Sequence, residues 1–422
     1  MRPRRAVEHF GAPLLILAGA GSGKTRVITT KIAHLVDRGL AAPRSILAVT
    51  FTNRAAAEMR ERVLAHSPAA GAAMVRTFHS FGAWLLRVNA AAAGLEPGFL
   101  IYDEDDSLGL LRAELGDGAD RGSLRRALEG VSRAKDLGLP PSAAPGELAA
   151  AGCDPEVYAA YERRLRATGN VDFGDLILLP LRLLAERPEV RERAQARFRV
   201  VLVDEYQDSN VAQFRLLREL AGGGYLCVVG DDDQSIYRFR GAEVGNILSF
   251  PDAFPGTEIV RLERNYRSTQ AILDATNAVI GLASERYTKD LWSERASDEL
   301  PRIVTVADEA DQARHVVEQV LERREASIAL KSQAVLFRAS SHSAVLELEL
   351  VRRNIPYVKF GGLKFLEAAH VKDVLAFLRL LQNPRDRVAG FRVLQLLPGV
   401  GPKTASRLLD AMAQSDPADV LG

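Results

Sequence analysis

The sequence predicts an α/β fold: a parallel sheet wrapped by helices on both faces, with a second α/β domain after it. Three observations carry this. Four short apolar runs, Leu14–Leu17, Ile46–Val49, Val200–Val203 and Leu226–Val229, have no polar alternation, as expected of strands buried on both faces. Each run is followed by a polar or Gly-containing turn and then by apolar residues at helical spacing. Ligands of such sheets collect at the carboxyl ends of the strands, and that is where this chain carries its most distinctive residues.

The alternation of strand and helix breaks between about residues 85 and 170. This stretch is rich in Ala, Leu and Arg with helical spacing (Leu108, Leu111, Leu115) and is punctuated by Pro140-Pro141 and Pro145-Gly146. It reads as a helical insertion. Strand-like runs return at 303–306 and 334–337, with helices expected over 309–325 and 343–353. Leu397-Pro398-Gly399-Val400-Gly401-Pro402-Lys403-Thr404 has the form of a helix-hairpin-helix turn.

A chain of 422 residues accommodates two to four domains, at roughly 100–200 residues each. With 47% hydrophobic and 26% charged residues, it is neither disordered, collagen-like nor disulfide-stapled. The net charge of +1 neither predicts nor excludes a polyanionic partner, so any basic track must be local. Basic residues are 46 Arg against nine Lys. Arginine suits phosphate recognition, but a GC-rich genome raises Arg and Ala without any function and is the simpler source of the excess. Two distant cysteines, Cys153 and Cys227, form no metal-binding spacing and point to a reducing compartment. No apolar run approaches the roughly 20 residues of a membrane helix. Arg2, Arg4 and Arg5 before the apolar run 12–18 imitate a signal peptide. The run feeds directly into a glycine-rich turn, which favours a strand and a cytoplasmic protein.

That turn, Gly19-Ala20-Gly21-Ser22-Gly23-Lys24-Thr25, stands between a strand and a helix, as a phosphate loop requires. Its glycines let backbone N–H groups close around phosphates, and the helix N-terminus adds positive partial charge. Lys24 is suited to the β/γ-phosphates and Thr25 to Mg2+. The strict pattern has Gly where this chain has Ala18. Asp204 and Glu205 end the third apolar run, Asp204 fitting the metal shell and Glu205 the attacking water. The fourth run ends in Asp231-Asp232-Asp233-Gln234. Gln234 is suited to sensing a γ-phosphate, while the acidic run by itself reads as a solvated turn. Gln234–Ala242 interleaves aromatic residues with arginines. Rings and guanidinium groups so mixed suit single-stranded nucleic acid, and the same composition fits a core helix with arginines reaching to solvent.

These segments, with Thr50–Met59, Thr77–Ser80, Val171–Leu176, Val203–Asp208, Gly230–Tyr237, Leu262–Thr269, Gly361–Glu367 and Asn383–Asp386, resemble the UvrD/PcrA/Rep-type superfamily 1 DNA helicases, in that family's order from about residue 5 to 415. The resemblance implies two RecA-like P-loop motor domains with ATP between them, the first carrying a helical insertion. The implied boundaries are 1–84 with 171–262 for the first motor domain, 85–170 for its insertion, 263–387 for the second motor domain and 388–422 for the start of a second insertion. It implies that Gly19, Ala20, Gly21, Ser22, Gly23, Lys24 and Thr25 bind ATP and that Thr25 and Asp204 bind Mg2+. Glu205, Gln234 and Arg267 would be catalytic, and Tyr266 would lie against adenine. Phe51, Asn53, Tyr237, Phe239 and Arg240 would contact DNA, with Phe239 where members often carry Trp. The implied activity is ATP-driven 3′-to-5′ movement on single-stranded DNA and unwinding of 3′-tailed duplex DNA.

Three departures temper this expectation. Pro3 stands where the family carries an adenine-reading glutamine, so the chain is expected to start late. It stops shortly after the hairpin motif. It also holds neither the Thr-x-His-x-x-Lys-Gly-Leu-Glu segment nor the final Tyr-Val-x-x-Thr-Arg segment, whose arginine meets the γ-phosphate in the family. The second domain is thus expected to be incomplete at its C-terminus and the chain weakly active. The competing reading is a nucleotide-gated single-stranded DNA-binding module without unwinding activity. A helicase–nuclease would need a nuclease domain or a four-cysteine cluster. An RNA helicase or nucleotide kinase would leave residues 50–59 and 234–242 unexplained.

Overall fold

The structure, a computed structural model, describes residues 2–115, 120–283, 287, 289–360, 369–382 and 387–414. The chain divides into two compact units, 1–301 and 302–422.

The first unit is organised by a six-stranded, wholly parallel sheet. Its strands are β1 (Leu14–Ala18), β2 (Ile46–Thr50), β3 (Met74–Thr77), β6 (Val200–Val203), β7 (Tyr225–Gly230) and β8 (Glu258–Leu262), ordered β3-β2-β6-β7-β1-β8. Successive side chains point to opposite faces, and both faces are covered. Leu15, Leu17, Leu47, Val49, Val201 and Val203 enter a core beneath the helices Phe78–Val88, Asp175–Glu186 and Val211–Ala221. Leu14, Ile16, Ile46, Ala48, Val200 and Leu202 enter another against Lys24–Asp37 and Asn53–His66. Burial on both faces explains why these strands read as unbroken apolar runs.

The sequence does not single out β3 and β8, and these are the two edges of the sheet. Only alternate residues are buried there, and Arg76, Glu258 and Arg261 interrupt the apolar pattern. The short pair β4 (Ile101–Tyr102) and β5 (Val171–Asp172) brackets four helices, Glu104–Leu115, Arg121–Asp136, Pro145–Ala150 and Pro155–Ala167. They share a separate core around Leu111, Leu124, Tyr158 and Tyr161. A buried ionic cluster ties these helices to the helix that follows β5. Lys135 Nζ lies 2.5 Å from Glu162, 2.7 Å from Asp172 and 2.8 Å from Asp175. Burial by itself would lower the Lys135 pKa, and the three carboxylates outweigh it and hold the ammonium charged.

In the second unit the expected helices form at Glu309–Glu325 and Ala344–Arg352, packed through Val317, Leu350 and Ile355. The strands expected at 303–306 and 334–337 do not form: both segments lack strand structure. A strand exists through its ladder, and these segments have no strand beside them among the described residues. Ile303 is 97% exposed and Leu336 94%. Helices Ala369–Gln382, Arg387–Leu394 and Pro402–Gln414 follow. The hairpin turn expected at 397–404 joins the last two, with Gly399 at φ 82° and Pro402 opening the final helix. The motifs at 361–367 and 383–386 lie outside the described residues.

Candidate nucleotide site and its aromatic flank

Because all six strands of the main sheet run parallel, their carboxyl ends share one edge, and the loops after β1, β2, β6, β7 and β8 gather there. The loop after β1 turns through Gly21 (φ 70°) and Gly23 (φ 91°), a left-handed conformation that glycine adopts without steric cost. Gly23 caps the helix that starts at Lys24, so the free N–H groups of that helix face the loop. Ser22 Oγ donates to the Gly19 carbonyl at 2.7 Å. Gly21 is also required by proximity: a Cβ there would fall 2.7 Å from Asn265 Nδ2 and 2.8 Å from Arg267 Cβ.

Lys24 Nζ lies 3.1 Å from Glu205 Oε2, joining the first turn of the helix after β1 to the loop after β6. Asp204, buried at the end of β6, accepts the Glu205 N–H at 3.1 Å. Burial first, then the Glu205 charge, push the Asp204 carboxyl up to about 7, while the Lys24 ammonium draws it down. Burial and Glu205 likewise raise Asp208 to about 6, again against Lys24. Three carboxylates thus face one ammonium. Glu205 itself sits at φ 52°, a left-handed backbone that costs a non-glycine residue of order 1–3 kcal/mol and is retained where the surroundings over-determine it. The constraint is Gln207. Its Nε2 donates to Glu205 Oε2 at 2.9 Å, and its Oε1 accepts the Asp231 N–H at 2.9 Å. One buried amide therefore links the loops after β6 and β7.

The acidic run after β7 is not the solvated turn that its composition suggests. Asp231 and Asp232 are buried, and Lys289 Nζ lies 2.8, 2.5 and 2.8 Å from Asp231, Asp232 and Asp233. Gln234, half-buried, donates to the Asp231 carboxylate. The loop after β8 closes on the phosphate loop: the Tyr266 N–H donates to the Gly21 carbonyl at 2.9 Å, and Asn265 Nδ2 donates to the Ala20 carbonyl at 2.6 Å. Arg267 is exposed beside Gly21. The Tyr266 ring is half exposed and carries the Arg264 guanidinium at 5.0 Å.

Along the same edge the rings of Phe51 and Tyr237 stack, with centroids 6.4 Å apart and planes 20° from parallel. Phe239 follows, 6.0 Å from Tyr237 and 72% exposed. The segment 238–240 is a short 3-10 turn, so the core-helix alternative for Gln234–Ala242 does not hold. Asn53 is exposed at the start of its helix, which Thr52 caps by accepting the Ala55 N–H. The Arg240 backbone belongs to the 238–240 turn, and its side chain lies outside the described residues.

Gln207, Asn265 and Lys289 carry much of this geometry, and the sequence reading gave none of them a role. Gln207 and Asn265 stand inside motifs that were visible. Lys289 belongs to no motif, and only the fold brings it to the acidic run.

Residues 2–255 match the family model of the UvrD/REP helicase N-terminal domain, and residues 260–416 that of the UvrD-like helicase C-terminal domain. Among curated proteins, the chain is 44% identical over 410 residues to the ATP-dependent DNA helicase UvrD1 of Mycobacterium tuberculosis, covering 93% of this chain and 53% of that protein. It is 41% identical over 413 residues to the ATP-dependent DNA helicase PcrA of Leuconostoc citreum, covering 96% and 55%. It is 37% identical over 419 residues to PcrA of Staphylococcus aureus, covering 97% and 57%. The chain spans about half the length of these relatives. No described helix is long and apolar enough to cross a membrane. With both family models matched in order and the phosphate loop, strand-end carboxylates and aromatic flank on one sheet edge, the chain belongs to the UvrD-like helicase family.

Proposed function

We propose that the chain binds Mg-ATP at Gly19–Thr25 and couples its hydrolysis to single-stranded DNA held along Phe51, Tyr237 and Phe239, as part of a cytoplasmic DNA helicase moving 3′ to 5′. The observation that carries this reading is the 3.1 Å pairing of Lys24 with Glu205, beside Asp204 and tied through Gln207 to the loop that bears Gln234. The relatives' printed names, ATP-dependent DNA helicases, support it.

A divalent cation fits the site, because Asp204, Glu205 and Asp208 face the single Lys24 ammonium. Thr25 and Asp204 would hold Mg2+, which when bound supplies charge neutralisation for the phosphates. Lys24, released from Glu205, is the cation for the β/γ-phosphates. Glu205, held by Gln207, is the base for the attacking water. Gln234 reads the γ-phosphate from the loop that leads into the aromatic row. Arg267 adds positive charge beside the phosphate loop. Tyr266 flanks adenine. Bases stack on the rings while Asn53 and Arg240 meet the DNA backbone.

ATP hydrolysis measured with and without a short oligonucleotide, followed by strand displacement on 3′- and 5′-tailed duplexes, tests the reading. Hydrolysis that rises with DNA, and displacement restricted to the 3′ tail, support it. Nucleotide-dependent DNA binding without hydrolysis would favour the alternative of a nucleotide-gated single-stranded DNA-binding module.

A further inference from the structure

Lys289 is buried, yet it lies outside every nucleotide and DNA motif. Its ammonium is the common centre of three carboxylates, Asp231, Asp232 and Asp233, at 2.8, 2.5 and 2.8 Å. Without it three adjacent negative charges would share one small buried turn, and their mutual repulsion in a low-dielectric setting would open that turn. The same turn holds two functional side chains. Gln234 donates to the Asp231 carboxylate. The Asp231 N–H donates to Gln207 Oε1, and Gln207 Nε2 donates in turn to Glu205 Oε2. The Tyr287 N–H adds a further bond to Asp232, at 2.7 Å.

We propose that Lys289 is a positioning residue that sets both Glu205 and Gln234 by clamping the Asp231–Asp233 turn. It acts through Asp231 on Gln234 directly and through Asp231 and Gln207 on Glu205. The roles of those two residues rest on the nucleotide-site reading above.

The test uses the full chain without nucleotide. Amide hydrogen exchange in Lys289→Met is expected to rise at least about tenfold in peptides covering 204–209 and 230–236. Peptides from β2 and from the helix Lys24–Asp37 should stay within about twofold of the parent. A uniform rise across residues 1–301, or no rise, overturns the proposal. If Lys289→Met does not fold, Lys289→Arg takes its place. A guanidinium keeps the charge but cannot turn one nitrogen towards three carboxylates, so the same localised exchange is expected and its absence overturns the proposal. In the variant that folds, single-turnover ATP hydrolysis should slow at least about tenfold, with the Mg-ATP Kd changed less than about threefold. Equal losses in rate and affinity would overturn the positioning role. If the parent itself fails to bind Mg-ATP, the nucleotide-site reading fails, and the exchange pattern still decides whether Lys289 clamps the two turns.

Discussion

Asn265 closes the loop after β8 onto the phosphate loop. Its Nδ2 donates to the Ala20 carbonyl at 2.6 Å, and its Oδ1 accepts the N–H groups of Arg267 and Ser268, both at 2.7 Å. One buried amide therefore fixes where Arg267 stands relative to Gly21, whose missing Cβ leaves room for the approach. The sequence separation is 245 residues, so this geometry is a product of the sheet order, which sets β8 beside β1.

Replacing Asn265 by Ala leaves one carbonyl and two N–H groups without their partner. Stability is expected to fall by about 1–3 kcal/mol, because three part-buried hydrogen bonds are lost and each is worth about 0.5–1.5 kcal/mol at most. Urea denaturation should show a lower midpoint with an unchanged slope. ATP turnover should drop more than Mg-ATP affinity, because Arg267 loses its position while Lys24 keeps its own.

Phe239→Ala removes an exposed ring from the aromatic row and is expected to weaken single-stranded DNA binding by about 1–3 kcal/mol. Arg240→Ala should lower affinity and flatten the dependence of log K on log salt by about 0.7, one phosphate contact on a single strand. Fluorescence anisotropy with a short oligonucleotide at two salt concentrations checks both variants. Unchanged affinity in both would remove the row from the DNA path.

Asp136, at the end of its helix, is raised to about 6, by burial first and by Asp172, against the lowering hydrogen bond from Asn210. The folded state thus binds this proton more tightly than the unfolded state does. The resulting stability is fully present below the ordinary carboxylate pKa near 4 and is lost as pH rises through about 6. Asp136→Asn keeps an acceptor for Asn210 and removes the charge. It is expected to stabilise the protein at pH 7 by up to about 3 kcal/mol, at 1.36 kcal/mol per pKa unit, and to flatten the stability profile between pH 4 and 6. Thermal denaturation across that range checks it.

The central strands were legible because burial on both faces leaves only apolar residues: Val200–Val203 matches its run end for end. The edge strands β3 and β8 were not, since one half-covered side admits Arg76 and Arg261. The runs at 303–306 and 334–337 show the converse, apolar composition without a neighbouring strand among the described residues to make it a ladder. Lys24, Asp204 and Glu205 could be read because their spacing from a strand end is itself the signal. Lys289 could not, because an isolated lysine 56 to 58 residues from its carboxylates leaves no local pattern. The same holds for Lys135, whose cluster is assembled from three separate elements.

Binding of Mg-ATP by the parent chain, Lys24→Ala and Glu205→Gln, measured side by side with single-turnover hydrolysis, tests the nucleotide site most directly. With Lys24 as the proposed cation for the phosphates, Lys24→Ala should lose both binding and hydrolysis with the fold intact. Glu205→Gln frees Lys24 from its partner and removes the proposed base, so it should bind Mg-ATP at least as tightly as the parent and hydrolyse it at least about 100-fold more slowly. Mg-ATP binding and hydrolysis by Lys24→Ala at the parent's level would contradict the account.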